Sequence, residues 1–274
     1  LVFIPIGALV VAIFTFFFSR KYLSWMETYF YCFLGYATHG LLDACTSYGT
    51  QLFWPFSDER ISWNNISVVD PLLTVPIIIF IIISILKKNK FITLFGVFYI
   101  FLYLGIGVVQ ENRAEKLGKL IANMRGHESK RLTVKPSLGN LFLWKSIYED
   151  NGFYYVDAVR LLSKLEYCQG TKIKKLDTSN NFMGLNQNSQ QYKDIERFNW
   201  FSQGYLGVGT QKNIITDVRY SAVPNEVDGL WGIQINPSKK NSEHVDWVVN
   251  RTSYKAKWKR FLDLLFGKGC KGII

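Results

Sequence analysis

The sequence lacks the signatures of several common enzyme classes. It has no phosphate-binding glycine loop, no nucleophile-elbow serine and no helical HExxH motif, so P-loop, α/β-hydrolase and zincin sites are not expected. The glycines of residues 204–209 follow no clear strand and do not indicate a dinucleotide site. The four cysteines show no paired metal-binding spacing. Any chemistry must therefore come from another arrangement of residues.

Charge is scarce in the first 110 residues. They hold six Lys or Arg and five Asp or Glu, so +10 of the formal net charge of +11 lies after residue 110. A basic half attached to an apolar half suits a surface held against anionic lipid headgroups better than it suits nucleic acid. A solvated, lysine-rich surface is the alternative. We expect contact with the lipid bilayer and do not expect a nucleic-acid partner.

Long apolar runs predict a polytopic α-helical membrane bundle. Residues 1–18 carry no charge and just reach the length needed to cross a hydrocarbon core of about 30 Å. Three further spans are predicted over 22–47, 71–86 and 91–109. We therefore expect about four spans in a transmembrane domain (1–110), followed by a helical connector (111–135) and a soluble mixed α+β domain (136–274).

Basic residues in the short loops predict the orientation of these spans. Arg20-Lys21 and the lysines of residues 87–90 mark the cytoplasmic side. The loop at 48–69 is then outside, and the fourth span runs outward, so the soluble domain is expected to be extracytoplasmic. On that side Cys168 and Cys270 could form a disulfide, although the sequence does not show that they are close.

Aromatic and β-favouring runs predict several elements of the soluble domain. Residues 140–148 and 153–159 flank an Asn-Gly step, which indicates a β-hairpin. Further strands are predicted over 213–221 and 230–235, and helices over 188–203 and 253–267.

An ionisable group of residues interrupts the predicted membrane domain. His39 and Asp43 lie four residues apart on one helix face, and Asp70 begins the next span at the same predicted depth. Imidazole with carboxylate suits zinc or another divalent transition metal. The alternatives are a hydrogen-bonded histidine between helices and an aspartate that serves as a helix N-cap. We expect His39, Asp43 and Asp70 to be metal ligands.

The same region resembles a known family. His39-Gly-Leu-Leu-Asp43, the TSYGT and LFWPFS blocks that follow, Arg60 and Val69-Asp70-Pro71-Leu72 are similar to blocks of the YdjM-like inner-membrane proteins. That resemblance implies a multi-pass protein of the bacterial inner membrane and a metal-dependent hydrolase; members are also described as LexA-binding. Members carry a histidine block before the point that corresponds to Leu1, so we expect further metal ligands upstream.

These residues suggest a hydrolase mechanism at the outer membrane surface. A metal-bound water would be deprotonated near neutral pH and attack an ester or phosphoester, such as that of a lipid. Asp70 would orient or deprotonate that water, and Arg60 would bind an anionic headgroup. The alternative is a non-enzymatic membrane scaffold or regulator whose soluble domain binds a protein or anionic lipid.

Overall fold

The computed structural model describes residues 2–162, 164–178, 185–209, 213–250 and 253–272. The chain divides into two compact units, Leu1–Leu104 and Gly105–Ile274. The helices are α1 (Phe3–Ser19), α2 (Trp25–Cys45), α3 (Pro71–Lys87), α4 (Lys90–Met124), α5 (Gln190–Phe201) and α6 (Tyr254–Leu265). The strands are β1 (Arg131–Pro136), β2 (Leu143–Asp150), β3 (Phe153–Leu161), β4 (Leu165–Cys168), β5 (Lys172–Lys174), β6 (Leu206–Val208), β7 (Ile214–Asp217), β8 (Trp231–Gln234), β9 (Asp246–Val249) and β10 (Lys271–Gly272).

Local sequence signals account for the helix starts in the first unit. Ser24 and Glu27 form a capping box at the start of α2, in which each side chain satisfies a backbone N–H of the other residue. Asp70 caps α3, and Pro71 occupies its first position. Between α3 and α4 the backbone turns at Lys88, which has a left-handed conformation with φ 49°.

The predicted four-span bundle is wrong. Within the part of the chain that the structure describes, α4 is the one helix long and apolar enough to cross a membrane, with 35 residues and a mean hydropathy of 2.3 in its most apolar window. Helices α1 and α3 have only 17 residues each, or about 26 Å at 1.5 Å per residue, less than the hydrocarbon core. Helix α2 has 21 residues, but Glu27, His39 and Asp43 lower its mean hydropathy.

Helix α4 continues without a break through the fourth predicted span and into the predicted connector, ending at Met124. The connector was expected to remain helical up to Pro136. Instead the chain turns at Gly126, where φ is 69°, and residues Arg131–Pro136 form β1. Glycine permits this left-handed turn at no steric cost.

Two antiparallel sheets make up most of the second unit. The first has the order β1-β2-β3-β4-β10, with β5 also paired to β3, and the second has the order β6-β7-β8-β9. The predicted hairpin is confirmed: Asp150 pairs with Phe153, and Asn151 and Gly152 both have positive φ, as a tight hairpin turn requires. Helices α5 and α6 and strands β7 and β8 also lie where the sequence predicts them.

The second half of α4 packs on the first sheet. Ala114, Leu117, Ile121 and Ala122 are buried, and a side chain added at Gly118 would lie within 2.5 Å of Ser146 Oγ. The glycine therefore permits a close approach of helix and strand. Cys168 at the end of β4 and Cys270 next to β10 form a disulfide, a pairing that the sequence had left open. The bond joins residues 102 apart in sequence. By limiting the conformations of the unfolded chain, it raises the free energy of unfolding by about 4–5 kcal/mol.

Two lysines are buried side by side in the first sheet. Lys135 on β1 is opposite Lys145 on β2, so both side chains lie on the same face. The Lys145 Nζ donates to Ser221 Oγ and to the Glu226 carbonyl, both at 2.7 Å. The Lys135 Nζ lies 3.3 Å from the centre of the Tyr220 ring. Burial lowers the pKa of Lys145 to about 7, and it lowers the pKa of Lys135 well below its ordinary value.

Stability should therefore rise with pH above neutrality. Between the folded pKa of Lys145, about 7, and the unfolded value of about 10.4, the unfolded chain binds an additional proton, which favours unfolding at the lower pH. In wild type the unfolding free energy should increase by up to about 1.4 kcal/mol per pH unit from this lysine. Lys145→Met should reduce the slope, measured by denaturant unfolding in detergent from about pH 7.5 to about pH 9.5.

The matched control is Lys193→Met, which replaces an exposed lysine on α5. It should leave the slope unchanged. An equal slope in wild type and Lys145→Met would contradict the assignment of a neutral, buried Lys145.

Candidate functional site

The His39 and Asp43 side chains meet on one face of α2. The distance between His39 Nδ1 and Asp43 Oδ2 is 3.3 Å, and the two side chains are 75% and 49% exposed. Their four-residue spacing places them one turn apart, as the sequence predicts. Asp43 is close enough to orient the imidazole, while the other ring nitrogen stays accessible.

This pair lies at the edge of an apolar cavity in the first unit. The cavity has a volume of about 350 Å³ and is lined by the start of α1, by α2 and by residues 50–54. Phe3 and Trp54 stack with their ring centres 5.0 Å apart, and Tyr36 and Leu52 complete much of the apolar lining. The arrangement places one imidazole and one carboxylate beside a space suited to a hydrocarbon chain or another apolar group.

Arg60 stabilises the loop that follows α2. Its Nη2 donates to the Tyr48 carbonyl at 2.7 Å, and Thr50 and Ile61 form a β-bridge in the same loop. Gly49 has φ 80°, a conformation that few other residues adopt without strain. The TSYGT block and Arg60 therefore define the shape of the loop, and the guanidinium that was predicted to bind a headgroup is engaged with backbone.

Asp70 is buried and fully engaged as a helix cap. It is 5% exposed, and its Oδ1 accepts from the backbone N–H groups of Leu72 and Leu73 at 3.1 and 3.3 Å. The Tyr103 hydroxyl lies 2.8 Å from both carboxylate oxygens. The structure thus agrees with the alternative interpretation of Asp70 as an N-cap. Tyr103 was missed from sequence because a tyrosine in an apolar run resembles any other membrane aromatic.

The described part of the chain contains no group of three or more His, Cys, Asp or Glu side chains arranged to hold a metal ion. His39 and Asp43 come together, but Asp70 uses its oxygens elsewhere. A catalytic zinc normally has three protein ligands. The two remaining donors do not form such a site.

The other two histidines lie in the second unit. His244 Nδ1 is 2.9 Å from Asp194 Oδ2 on a largely exposed surface. His127 Nδ1 lies 2.8 Å from the Tyr148 hydroxyl, which also accepts from Arg125 Nη1 at 3.0 Å. Arg125 in turn makes a bidentate pair with the buried Asp157, at 2.7 and 2.8 Å. These bonds fasten the end of α4 to the first sheet, so His127 has a structural partner that the sequence did not reveal.

The two roles considered for Asp70 predict different results for two substitutions. Asp70→Asn retains a side-chain oxygen for the cap and for Tyr103, so the midpoint of thermal unfolding in detergent should stay near that of wild type. Asp70→Ala removes both the cap and the hydrogen bond from Tyr103, and it should lower the free energy of unfolding by about 1–3 kcal/mol. An Asp70→Asn variant as unstable as Asp70→Ala would show that the negative charge, rather than the cap, is what the site requires.

The first part of the chain is similar to a known protein family. The model of the YdjM inner membrane protein family matches residues 1–114, a range that includes His39, Asp43, Arg60 and Asp70. No curated protein and no solved structure matches the chain.

Proposed function

Since the chain is YdjM-like over residues 1–114, and the family is one of inner membrane proteins, we propose that it is a membrane-bound hydrolase of an amphiphilic ester or phosphoester. The observation that supports this proposal is the His39–Asp43 pair at the edge of an apolar, aromatic cavity. The cavity would hold an acyl or other apolar group of the substrate. The ester would lie beside the imidazole.

In this mechanism His39 acts as a general base and Asp43 orients it. Asp43 Oδ2 lies 3.3 Å from His39 Nδ1. In the reaction the carboxylate would accept the Nδ1 proton in a hydrogen bond, which leaves the lone pair on Nε2. Nε2 removes a proton from water as the water oxygen forms a bond to the carbonyl carbon or to phosphorus. The bond to the leaving oxygen then breaks, and the proton on Nε2 passes to that oxygen. The products are an acid and an alcohol.

A divalent metal does not fit the described residues well. His39 and Asp43 are donors of the kind that zinc prefers, but the carboxylate of Asp70 is occupied by backbone N–H groups and by Tyr103. We therefore assign no step to a metal, and the predicted zinc dependence stays a prediction. Asp70 and Arg60 act in this proposal as structural residues that hold α3 and the loop in place.

The proposal predicts that His39→Ala lowers kcat by about 10²–10⁴-fold, because the general base is lost. Asp43→Asn should also lower kcat, because an amide can hold the imidazole in the wrong tautomer. The assay is release of a chromophore from an ester and from a phosphodiester, each carrying an acyl chain, by full-length protein in nanodiscs. Metal content is measured on the same samples.

The control is His244→Ala, which removes the other histidine of a His–Asp pair, one that lies on the exposed surface of the second unit. It should have wild-type activity. Turnover by wild type that survives in His39→Ala would contradict the proposal. If His39→Ala retained biological function while deletion of residues 140–274 abolished it, the scaffold alternative would be supported instead. That alternative is based on the net charge of +10 after residue 110.

We further propose that the second unit lies outside the cytoplasm. Lys87, Lys88 and Lys90 precede the apolar part of α4, which suits a cytoplasmic start for that helix. The Cys168–Cys270 disulfide suits an oxidising compartment.

This orientation predicts that the two cysteines are oxidised in cells. When thiols are blocked at lysis, Cys168 and Cys270 should resist alkylation, and non-reduced protein should migrate faster than reduced protein in denaturing gels. Cys168→Ser should abolish the mobility difference. Full alkylation of both cysteines in wild type would place the second unit in the cytoplasm.

A further inference from the structure

The point at which the apolar part of α4 ends is bonded directly to the first sheet. Gln110 follows the apolar run of residues 91–109 and is 6% exposed. Its Nε2 donates to the carbonyls of Leu141 and Leu161 at 2.9 and 3.0 Å. One turn further along, Arg113 Nη2 donates to the Leu162 carbonyl at 3.1 Å. These bonds hold one end of the sheet against the end of the apolar run.

Several large apolar side chains are exposed at this same end. We call them the collar: Leu138, Phe142, Leu162, Leu165 and Phe266, which are 55, 41, 37, 36 and 72% exposed.

Backbone bonds connect the collar residues to the positions that Gln110 and Arg113 contact. Phe142 accepts from the Leu161 N–H at 2.7 Å, and Leu165 is opposite Leu161 in the sheet. Arg160 Nε donates at 2.9 Å to the carbonyl of Leu265, the residue before Phe266. The collar therefore belongs to one end of the sheet rather than being scattered over the unit.

The opposite end of the sheet is polar. There β2 and β3 are joined by the exposed residues Asn151 and Gly152, with Lys174 exposed on the neighbouring strand β5. The nine residues of β3 separate the two ends by about 26 Å, at 3.3 Å per residue. The end of the sheet where α4 changes from apolar to polar thus exposes apolar side chains, whereas the β2–β3 turn exposes polar ones.

We infer that the collar seats the second unit on the surface of the lipid bilayer. The 19 apolar residues from 91 to 109 are about 28 Å long, which matches the hydrocarbon core and places Gln110 at its edge. Groups bonded to Gln110 then lie at the boundary between headgroups and acyl chains, where exposed Leu and Phe side chains are stabilised. The inference depends on α4 crossing the membrane and is independent of the proposed hydrolase.

Charge around the collar favours anionic headgroups as the contact. Lys164 next to Leu165 and Lys271 on β10 are both exposed, and Lys271 pairs in the sheet with Tyr167 of β4. A lysine near an anionic lipid surface is attracted to it. The collar therefore combines apolar side chains with flanking positive charge, the composition of an interfacial membrane contact.

Site-specific photocrosslinking tests this inference on the full-length chain. A benzophenone-bearing phenylalanine analogue replaces Phe142 or Phe266, and Asn151 at the polar end of the sheet serves as the control position. The protein is placed in nanodiscs of phosphatidylethanolamine and phosphatidylglycerol, irradiated, and analysed by mass spectrometry. Formation of the Cys168–Cys270 disulfide confirms that each variant folds.

We expect lipid adducts at positions 142 and 266 and only background labelling at 151. Adducts with a second copy of the chain, or with a co-purified protein, at 142 and 266 would show that a protein covers the collar and would overturn the inference. Labelling at 151 equal to that at 142 and 266, or background at all three positions, would also overturn it. Phe142 and Phe266 lie in different segments, so failure of one variant to fold leaves the other to decide.

Discussion

Helix α4 meets two different environments along one unbroken backbone, lipid in its first part and the first sheet in its second part. Its first part is apolar and suited to lipid, and its second part packs Ala114, Leu117 and Ile121 against a sheet. Gln110 lies where the apolar part ends, and its side-chain amide donates to the carbonyls of Leu141 and Leu161. The helix continues through this point to Met124.

In the first unit, too, a buried polar group needs hydrogen-bond partners. Asp70 is buried at the start of α3, and a buried carboxylate needs several hydrogen-bond donors to offset its loss of hydration. Two backbone N–H groups at the start of α3 and the Tyr103 hydroxyl supply them. A carboxylate satisfied in this way has little capacity left for a metal, whereas His39 and Asp43 remain open at the cavity. The chemistry of the site is therefore concentrated on α2.

In the second unit, buried charge is tolerated where geometry compensates for it. Arg125 and Asp157 satisfy each other in a bidentate pair, and Arg219 and Asp217 form a second pair that is almost completely buried. Lys145 instead donates to the Ser221 hydroxyl and the Glu226 carbonyl, and its burial lowers its pKa to about 7. Such groups distinguish this core from a purely apolar one and link its stability to pH.

Sequence alone determined the features that depend on neighbouring residues. The Asn151-Gly152 hairpin, the Asp70-Pro71 helix start and the one-turn spacing of His39 and Asp43 follow from backbone preferences and helical periodicity. The YdjM-like blocks lie within residues 1–114, the range that the family model matches. Tertiary structure decided what depends on distant partners. The Tyr103 hydroxyl that donates to Asp70 lies 33 residues away in sequence. Gln110 donates to the carbonyls of Leu141 and Leu161, 31 and 51 residues away, at the end of the sheet where the collar is exposed. Helix length, too, was decided by the fold, since apolar composition does not specify where a helix ends.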